Sequence, residues 1–387
     1  MAPIKAVILS ALLGLASMTV VEAVPKVDFD VLVVGGGPGG LSALSGLGRV
    51  RRKALLYDSG EYRNGPTRHM HDVIGNDGTV PRTFRALAKE QISKYKTTEI
   101  RNGTVVSVQK VGSYFRATDE IGESVTSRKV ILATGMKDVL PSTPGLQEAW
   151  GNGIFWCPWC DGYEHRDQPF GILGRLRDVM GSVLEMMTLN SDIIAFVNGT
   201  WTPDEEAILE QKYPDWFDQL QAYDIRLDNR TIVSIDRLQD GGQHHDPEEH
   251  KEYDLFRINF SEGESVIRSA FITNFPAVQR STLPAQMGLT IDDNNKIKVD
   301  PSSMRTNVKG VFAVGDANND NSTNVPHAMY SGKRAAVFVH VELAREESLD
   351  SIGKREVEVS ERALQDEALR LIGDNLEPLW KRARLEK

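Results

Sequence analysis

The sequence predicts an α/β fold in which short buried strands alternate with helices to build two βαβ-type domains. Three observations carry this. An apolar, β-branched run at 28–34 passes directly into glycines and a small-residue helix start at Leu41–Leu47. The same strand–helix–strand order returns between Phe170 and Val197. A late strand and turn, Gly310–Asp316, then precedes a helix expected to start near Val325. Composition agrees. The chain has 387 residues, enough for two domains, and 40% of them are hydrophobic against 26% charged, the profile of a packed core. A net charge of −9 argues against a general nucleic-acid binder, which needs a basic face. The run Arg49, Arg51, Arg52, Lys53 reads as a solvated loop.

The N-terminus reads as a signal peptide over residues 1–23. Lys5 gives a positive start, Ala6–Val21 is apolar or small, and Val21-Glu22-Ala23 has the small-x-small pattern of a cleavage site. The apolar stretch is short for a membrane span; a tethering leader is the alternative. The expected location is the secretory pathway or outside the cell, with no membrane attachment after cleavage. Sequons at Asn102, Asn198, Asn229, Asn259 and Asn321 agree with this.

The elements follow in order. Gly35-x-Gly37-x-x-Gly40, with Pro38 inside it, lies between the first strand and the helix. The first glycine allows a tight turn, the second lets backbone approach a pyrophosphate, and the third lets helix pack on sheet. The diphosphate would rest on the helix N-terminus, where free N–H groups favour negative charge. A second strand, Ala54–Tyr57, ends at Asp58, which is placed to accept hydrogen bonds from a ribose. Residues 104–118 alternate apolar and polar as antiparallel strands do, and Val130–Leu132 is a further buried strand ending in Ala133-Thr134-Gly135. The polar stretch 240–250 carries His244, His245 and His250 and reads as a solvated loop, so no metal site is expected. Beyond Ser360, Ala363, Leu364, Ala368, Leu371 and Ile372 fall at helical spacing, which suits a docked or partner-binding helix.

Only two cysteines are present, Cys157 and Cys160. A bridge across so short a loop closes little chain entropy, so it is a poor structural staple. A zinc site would need further soft ligands. A Cys-x-x-Cys pair does suit redox exchange, one thiolate attacking an external sulfur and the other resolving the mixed disulfide.

Cys157-Pro158-Trp159-Cys160-Asp161-Gly162, together with Ala133-Thr134-Gly135 before it and Gly315-Asp316 after it, resembles the low-molecular-weight thioredoxin reductase family. The likeness spans roughly residues 28 to 345. It implies two Rossmann-like (three-layer ββα) domains, with an FAD domain in two parts, 27–150 and 276–345. Between these lies a dithiol-bearing, NAD(P)-type domain at 151–275, and 346–387 forms a helical tail. FAD would be held by Gly35, Gly37, Pro38, Gly40, Asp58, Thr134, Gly135, Gly315, Asp316 and the Val325 N–H. By the same likeness Cys160 faces the flavin, Cys157 meets substrate, and Asp161 is the acid/base. A homodimer is implied as well. His165 is a second candidate base, with a surface role as its alternative.

The sequence departs from that family in the middle domain. Leu176, in Gly174-Arg175-Leu176-Arg177-Asp178-Val179, stands where a second nucleotide-binding glycine belongs, and its side chain would obstruct a pyrophosphate. No arginine follows the strand at 193–197; Asn198-Gly199-Thr200, a sequon, does. Arg175 and Arg177 remain as candidate compensating cations. If nicotinamide is not the redox partner, a substrate dithiol reduces the cysteine pair, FAD takes two electrons, and O2 becomes H2O2. This resembles the fungal dithiol oxidases of epipolythiodioxopiperazine (gliotoxin-type) biosynthesis, as do Asp58–Asn64 and Arg68-His69-Met70-His71. His69 and His71 lie near flavin or substrate on that likeness, or are structural. The expected function is thus an FAD-dependent dithiol oxidase acting on a small-molecule dithiol. An NAD(P)H-dependent disulfide reductase and a non-catalytic flavoprotein binding a partner through Trp156, Trp159 and the C-terminal helix are the alternatives.

Overall fold

The computed structural model describes residues 26–320, 323–353 and 361–372. The expected leader and the Asn321 sequon lie outside the described residues.

Strand Phe29–Val34 is apolar almost throughout because parallel neighbours flank it on both sides. It pairs with Ala54–Asp58 (Val33 opposite Leu56) and with Ser124–Leu132 (Val33 opposite Ile131). Such two-sided burial is what continuous apolar runs signal. Thr98–Asn102 extends one edge. Strand Val311–Ala313 joins Ser124–Leu132 in parallel, so a segment from late in the chain completes the first domain's sheet. Helices Pro38–Arg49 and Val325–Ser351 cover one face, around Val31, Leu44, Phe312 and Phe338. The antiparallel strands Val105–Val111 and Tyr114–Asp119, with Leu283, Leu289 and Ile297, fill the other. These are the three layers expected.

Small residues set how closely the two helices cross. A Cβ on Gly332 would sit 2.0 Å from the Gly39 carbonyl oxygen, and one on Gly46 would sit 2.9 Å from the Ala336 Cβ. Overpacking of this kind costs about 1–3 kcal/mol per site. The close crossing brings the start of the later helix beside the start of the first.

The second domain has a five-stranded parallel sheet in the order 226–228, 193–196, 170–173, 270–273, 154–155. A three-stranded antiparallel sheet, 232–239, 255–260 and 266–268, completes it. Leu146, Ala149 and Trp150 already pack in this domain's core beside Phe196, Phe256 and Phe271. The chain leaves and re-enters the first domain through an antiparallel pair, Met136–Asp138 with Ala277–Gln279. The histidine-rich loop is closed by a short hairpin, His245–Asp246 with Lys251–Glu252. Helix Val325–Ser351 runs past residue 345, and helix Glu361–Ile372 docks on it through the buried Ala368 and an Arg345–Glu367 ion pair. No helix among the described residues is long and apolar enough to cross a membrane.

Candidate active site

A cavity of about 370 Å³ opens where the first strand, the late strand and the two crossing helices meet. Its floor is backbone. Gly35 adopts φ +117°, and a Cβ there would lie 2.2 Å from the Ala133 carbonyl oxygen. Gly37 faces open space, so its backbone is available to a ligand, and Pro38 starts the helix beside it. Thr134, Gly135, Gly315, Asp316 and Val325 also line the cavity. Asn324 caps the later helix by accepting from the His327 N–H, which sets the Val325 end against the cavity.

Two expected residues lie behind the wall instead of in it. Gly40 sits under the turn, where a Cβ would be 1.9 Å from the Gly35 carbonyl oxygen. Asp58 is buried beneath Gly36, and its carboxylate is occupied by the Tyr62 hydroxyl (2.7 Å), the Gly60 N–H (3.0 Å) and Lys89 (2.6 Å). The residues just after it, Ser59 and Glu61, reach the cavity.

The cavity fits a flavin dinucleotide on its own evidence. The Thr134 hydroxyl and the Trp156 indole N–H are both buried at its wall without a hydrogen-bond partner. Buried polar atoms are rarely left unpaired, so these two point to a polar ligand. The glycine floor and two helix N-termini supply what a diphosphate and an electron-rich ring require.

Sequence reading missed Arg63. Its guanidinium is half-buried at the cavity, donating to Asp138 (2.6 and 3.0 Å) and Asp316 (2.9 Å) and lying 4.9 Å from the Trp156 ring. Its partners are far apart in sequence, so no local pattern marks it. Burial pushes the Asp316 carboxyl up, against the pull of Arg63.

Trp156, stacked on Trp150, joins the cavity to the dithiol, since Cys157 is the next residue. Cys157 and Cys160 are bonded across the turn Pro158–Asp161, which Pro158 starts and Cys157 caps. Both are half-buried, while Trp159 between them is 67% exposed. The pair therefore lies just past the cavity wall, with an open aromatic face beside it.

Asp161 turns into a second, smaller cleft that it shares with Arg68, His69, His71, Glu164, His165 and Glu252. Among the described residues no donor reaches its carboxylate. Burial raises its pKa to about 8; His165 opposes this, and Glu164 and Glu252 add to it. His165 differs. It is buried, its Nδ1 faces the Asp161 carbonyl oxygen (2.8 Å), and its Nε2 faces Asp254 (3.1 Å). Both nitrogens are engaged, which makes it a positioning group and not a surface residue. Burial disfavours its charge, but the Asp254 hydrogen bond wins and raises its pKa. His165, Glu252 and Asp254 bring ligand-type atoms within 4.8 Å of one another, and Arg68 bridges both carboxylates. His71 lies between Asp77 (3.4 Å) and Glu164 (3.5 Å), and His69 lies 3.6 Å from Glu252.

In the middle domain Leu176 is fully buried in a 3-10 turn, and its N–H donates to the Thr200 hydroxyl. Arg175 and Arg177 both bind Glu205, the latter at 2.6 Å through two nitrogens. Glu205 is itself buried in the first turn of helix Pro203–Lys212, which Thr202 caps.

Comparison with known proteins agrees with this geometry. The family model for pyridine nucleotide-disulphide oxidoreductases matches residues 29–181 and 261–332. A probable thioredoxin reductase of Arthroderma benhamiae is 55% identical over 370 residues, covering 92% of each chain. Thioredoxin reductase tcpT of Claviceps purpurea is 32% identical, over 81% of this chain and 94% of the relative. Among solved structures, HlmI is 28% identical with a TM-score of 0.72, over 84% of this chain and 95% of that one. An oxidoreductase from Agrobacterium tumefaciens is 28% identical with a TM-score of 0.71, over 82% and 99%. With its glycine-floored cavity set against a Cys-x-x-Cys turn, the chain belongs to the pyridine nucleotide-disulphide oxidoreductase family and is a thioredoxin-reductase-like, FAD-dependent disulfide oxidoreductase.

Proposed function

We propose that this protein oxidises a small-molecule dithiol to its disulfide and passes the electrons to O2, without a nicotinamide cofactor. The observation that carries this reading is the state of the middle domain. Leu176 fills the turn a pyrophosphate would need, the turn's N–H is spent on Thr200, and both nearby arginines are paired with the buried Glu205. A pyrophosphate would have to displace these contacts.

In the forward exchange a substrate thiolate attacks Cys157 Sγ, the Cys157–Cys160 bond breaks, and Cys160 leaves as a thiolate. The second substrate thiol gives its proton to Asp161, and its sulfur displaces Cys157. The substrate disulfide closes and the cysteine pair holds the electron pair. FAD bound in the cavity would supply the acceptor for that pair and its passage, with two protons, to O2 as H2O2. The exposed Trp159 beside Cys157 suits a small substrate with an apolar ring. Exposed sequon asparagines at 102, 198 and 229 favour a secretory location, whereas the Asn259 amide is held by Ser234 and Asp236.

Anaerobic mixing tests this. Dithiothreitol should bleach the flavin, air should restore it with stoichiometric H2O2, and excess NADPH should leave it yellow. Rapid bleaching by NADPH would establish the reductase reading instead.

A further inference from the structure

The small cleft beside the dithiol has an outlet that the exchange chemistry leaves unexplained. Glu164 is buried, and its Oε2 has no hydrogen-bond partner. Its Oε1 lies 3.5 Å from His71 Nε2, and His71 Nδ1 lies 3.4 Å from Asp77 Oδ2. Exposure rises along this line: the side chains are 11% exposed at Glu164, 18% at His71 and 65% at Asp77. Asp161, to which the proposed exchange gives the thiol proton, shares the cleft with Glu164 and His71. An imidazole held between two carboxylates, one buried and one at the surface, can take a proton on one nitrogen and release it from the other.

We infer that Glu164, His71 and Asp77 form a proton path between Asp161 and bulk solvent. During substrate oxidation the proton leaves the second substrate thiol for Asp161. It then passes to Glu164, enters His71 at Nε2, and exits at Nδ1 to Asp77 and water. No electrons move along this path; the two from the substrate go to the cysteine pair. Microscopic reversibility carries protons inward when a disulfide is reduced, so the inference holds for either direction of electron flow and does not rest on the oxidase reading. The charged groups around His71 suit the role. Asp77 and Glu164 flank it, with Asp161, His69, Glu252 and Arg68 in the same cleft, and Arg68 is committed to Asp240, Glu252 and Asp254. The competing account is that His71 and Asp77 only shape their loop, since Asp77 Oδ1 also accepts from the Asp72 N–H (3.0 Å).

The test follows the exchange itself. Holoenzyme is mixed anaerobically with dithiothreitol in dilute buffer and quenched in acid. Free thiols at Cys157 and Cys160 are then alkylated and counted by mass spectrometry. His71→Ala and Glu164→Gln should each slow thiol formation by at least about tenfold, less than the roughly 100-fold low end for losing the acid/base itself. Added imidazole should restore His71→Ala in a saturable way, and not Glu164→Gln. Asp77→Asn keeps the Oδ1 that holds the loop but removes the carboxylate; it should slow exchange several-fold in dilute buffer and match wild type in concentrated buffer. Exchange at wild-type rate in His71→Ala overturns the path, and so does a loss in that variant that neither imidazole nor buffer concentration changes. NADPH bleaching bears on the oxidase reading alone and leaves this result standing.

Discussion

Replacing Arg68 by alanine should cost the folded protein about 3 kcal/mol, and the environment of Arg68 supplies the figure. The guanidinium comes from the first domain and reaches three carboxylates of the second: Asp254 through two nitrogens (2.8 and 2.9 Å), Asp240 (2.6 Å) and Glu252. Asp254 is fully buried, whereas Asp240 is 37% exposed. Breaking a buried ion pair costs about 3–5 kcal/mol, because the remaining charge stays out of water. Asp254 keeps His165 and the Gly241 N–H, which favours the lower end. About 3 kcal/mol is roughly a 150-fold change in the folding equilibrium at 1.36 kcal/mol per tenfold. Urea unfolding read by tryptophan fluorescence measures it, with Arg226→Ala as control. Arg226 meets Asp192 on the surface at 3.1 Å, and that pair contributes at most about 1 kcal/mol. The sign with pH follows. Asp254 is held far below the ordinary carboxylate range, with burial opposing and His165 and Arg68 prevailing. Its stabilisation is therefore present above the unfolded aspartate pKa of about 3.9 and fades as pH falls through the folded value. The difference between wild type and Arg68→Ala should shrink below about pH 4. A loss under about 1 kcal/mol at neutral pH, or a difference that does not narrow in acid, would refute the assignment.

Two further outcomes are expected. Since burial raises Asp161 to about 8, its carboxylate form becomes available only as pH passes that value. The rate of flavin reduction by a dithiol, corrected for the dithiol's own ionisation, should rise through this range; Asp161→Asn should remove the rise and lower the rate by about 100-fold or more. The glycine floor separates fold from binding. Gly37→Ala places a methyl in open space, so the apoprotein should melt as wild type does while FAD affinity, by titration, falls. Gly40→Ala drives a Cβ to 1.9 Å from the Gly35 carbonyl oxygen and should destabilise the apoprotein itself.

Much of the first domain was legible because its signals are local. The strand at 29–34, the glycine turn, the return strand ending at Asp58 and the late strand at 311–313 each announce themselves through apolar runs and turn residues. The bonding of Cys157 to Cys160 was legible for a similar reason, as both sulfurs lie on one turn. What pairing across the sequence decides was not legible. Asp58 ends the second strand as a ribose ligand would, but Lys89 and Tyr62 claim it. Arg63 carries no local mark; its role arises only when Asp138 and Asp316 meet it. The sequence offers His165 as a candidate base or a surface residue but does not mark its burial, because its partner, Asp254, arrives from a different strand region.

The two nucleotide-type sites in this one chain act as controls for each other. At the first, the backbone floor is open and two polar groups, the Thr134 hydroxyl and the Trp156 N–H, are buried unpaired at its wall. Leaving such groups unpaired costs about 1–3 kcal/mol each, a cost that a ligand removes. At the second, the groups nearest to where a phosphate would sit have partners within the chain: the Leu176 N–H has Thr200, and Arg175 and Arg177 share Glu205. A nucleotide entering there would first have to displace Glu205 from both arginines and leave that carboxylate buried without its cations, while also moving the buried Leu176 side chain. Each step is unfavourable before any contact with the ligand forms. The asymmetry between an unsatisfied site and a self-satisfied one is the physical basis of the proposal that electrons enter at the dithiol and not at the middle domain.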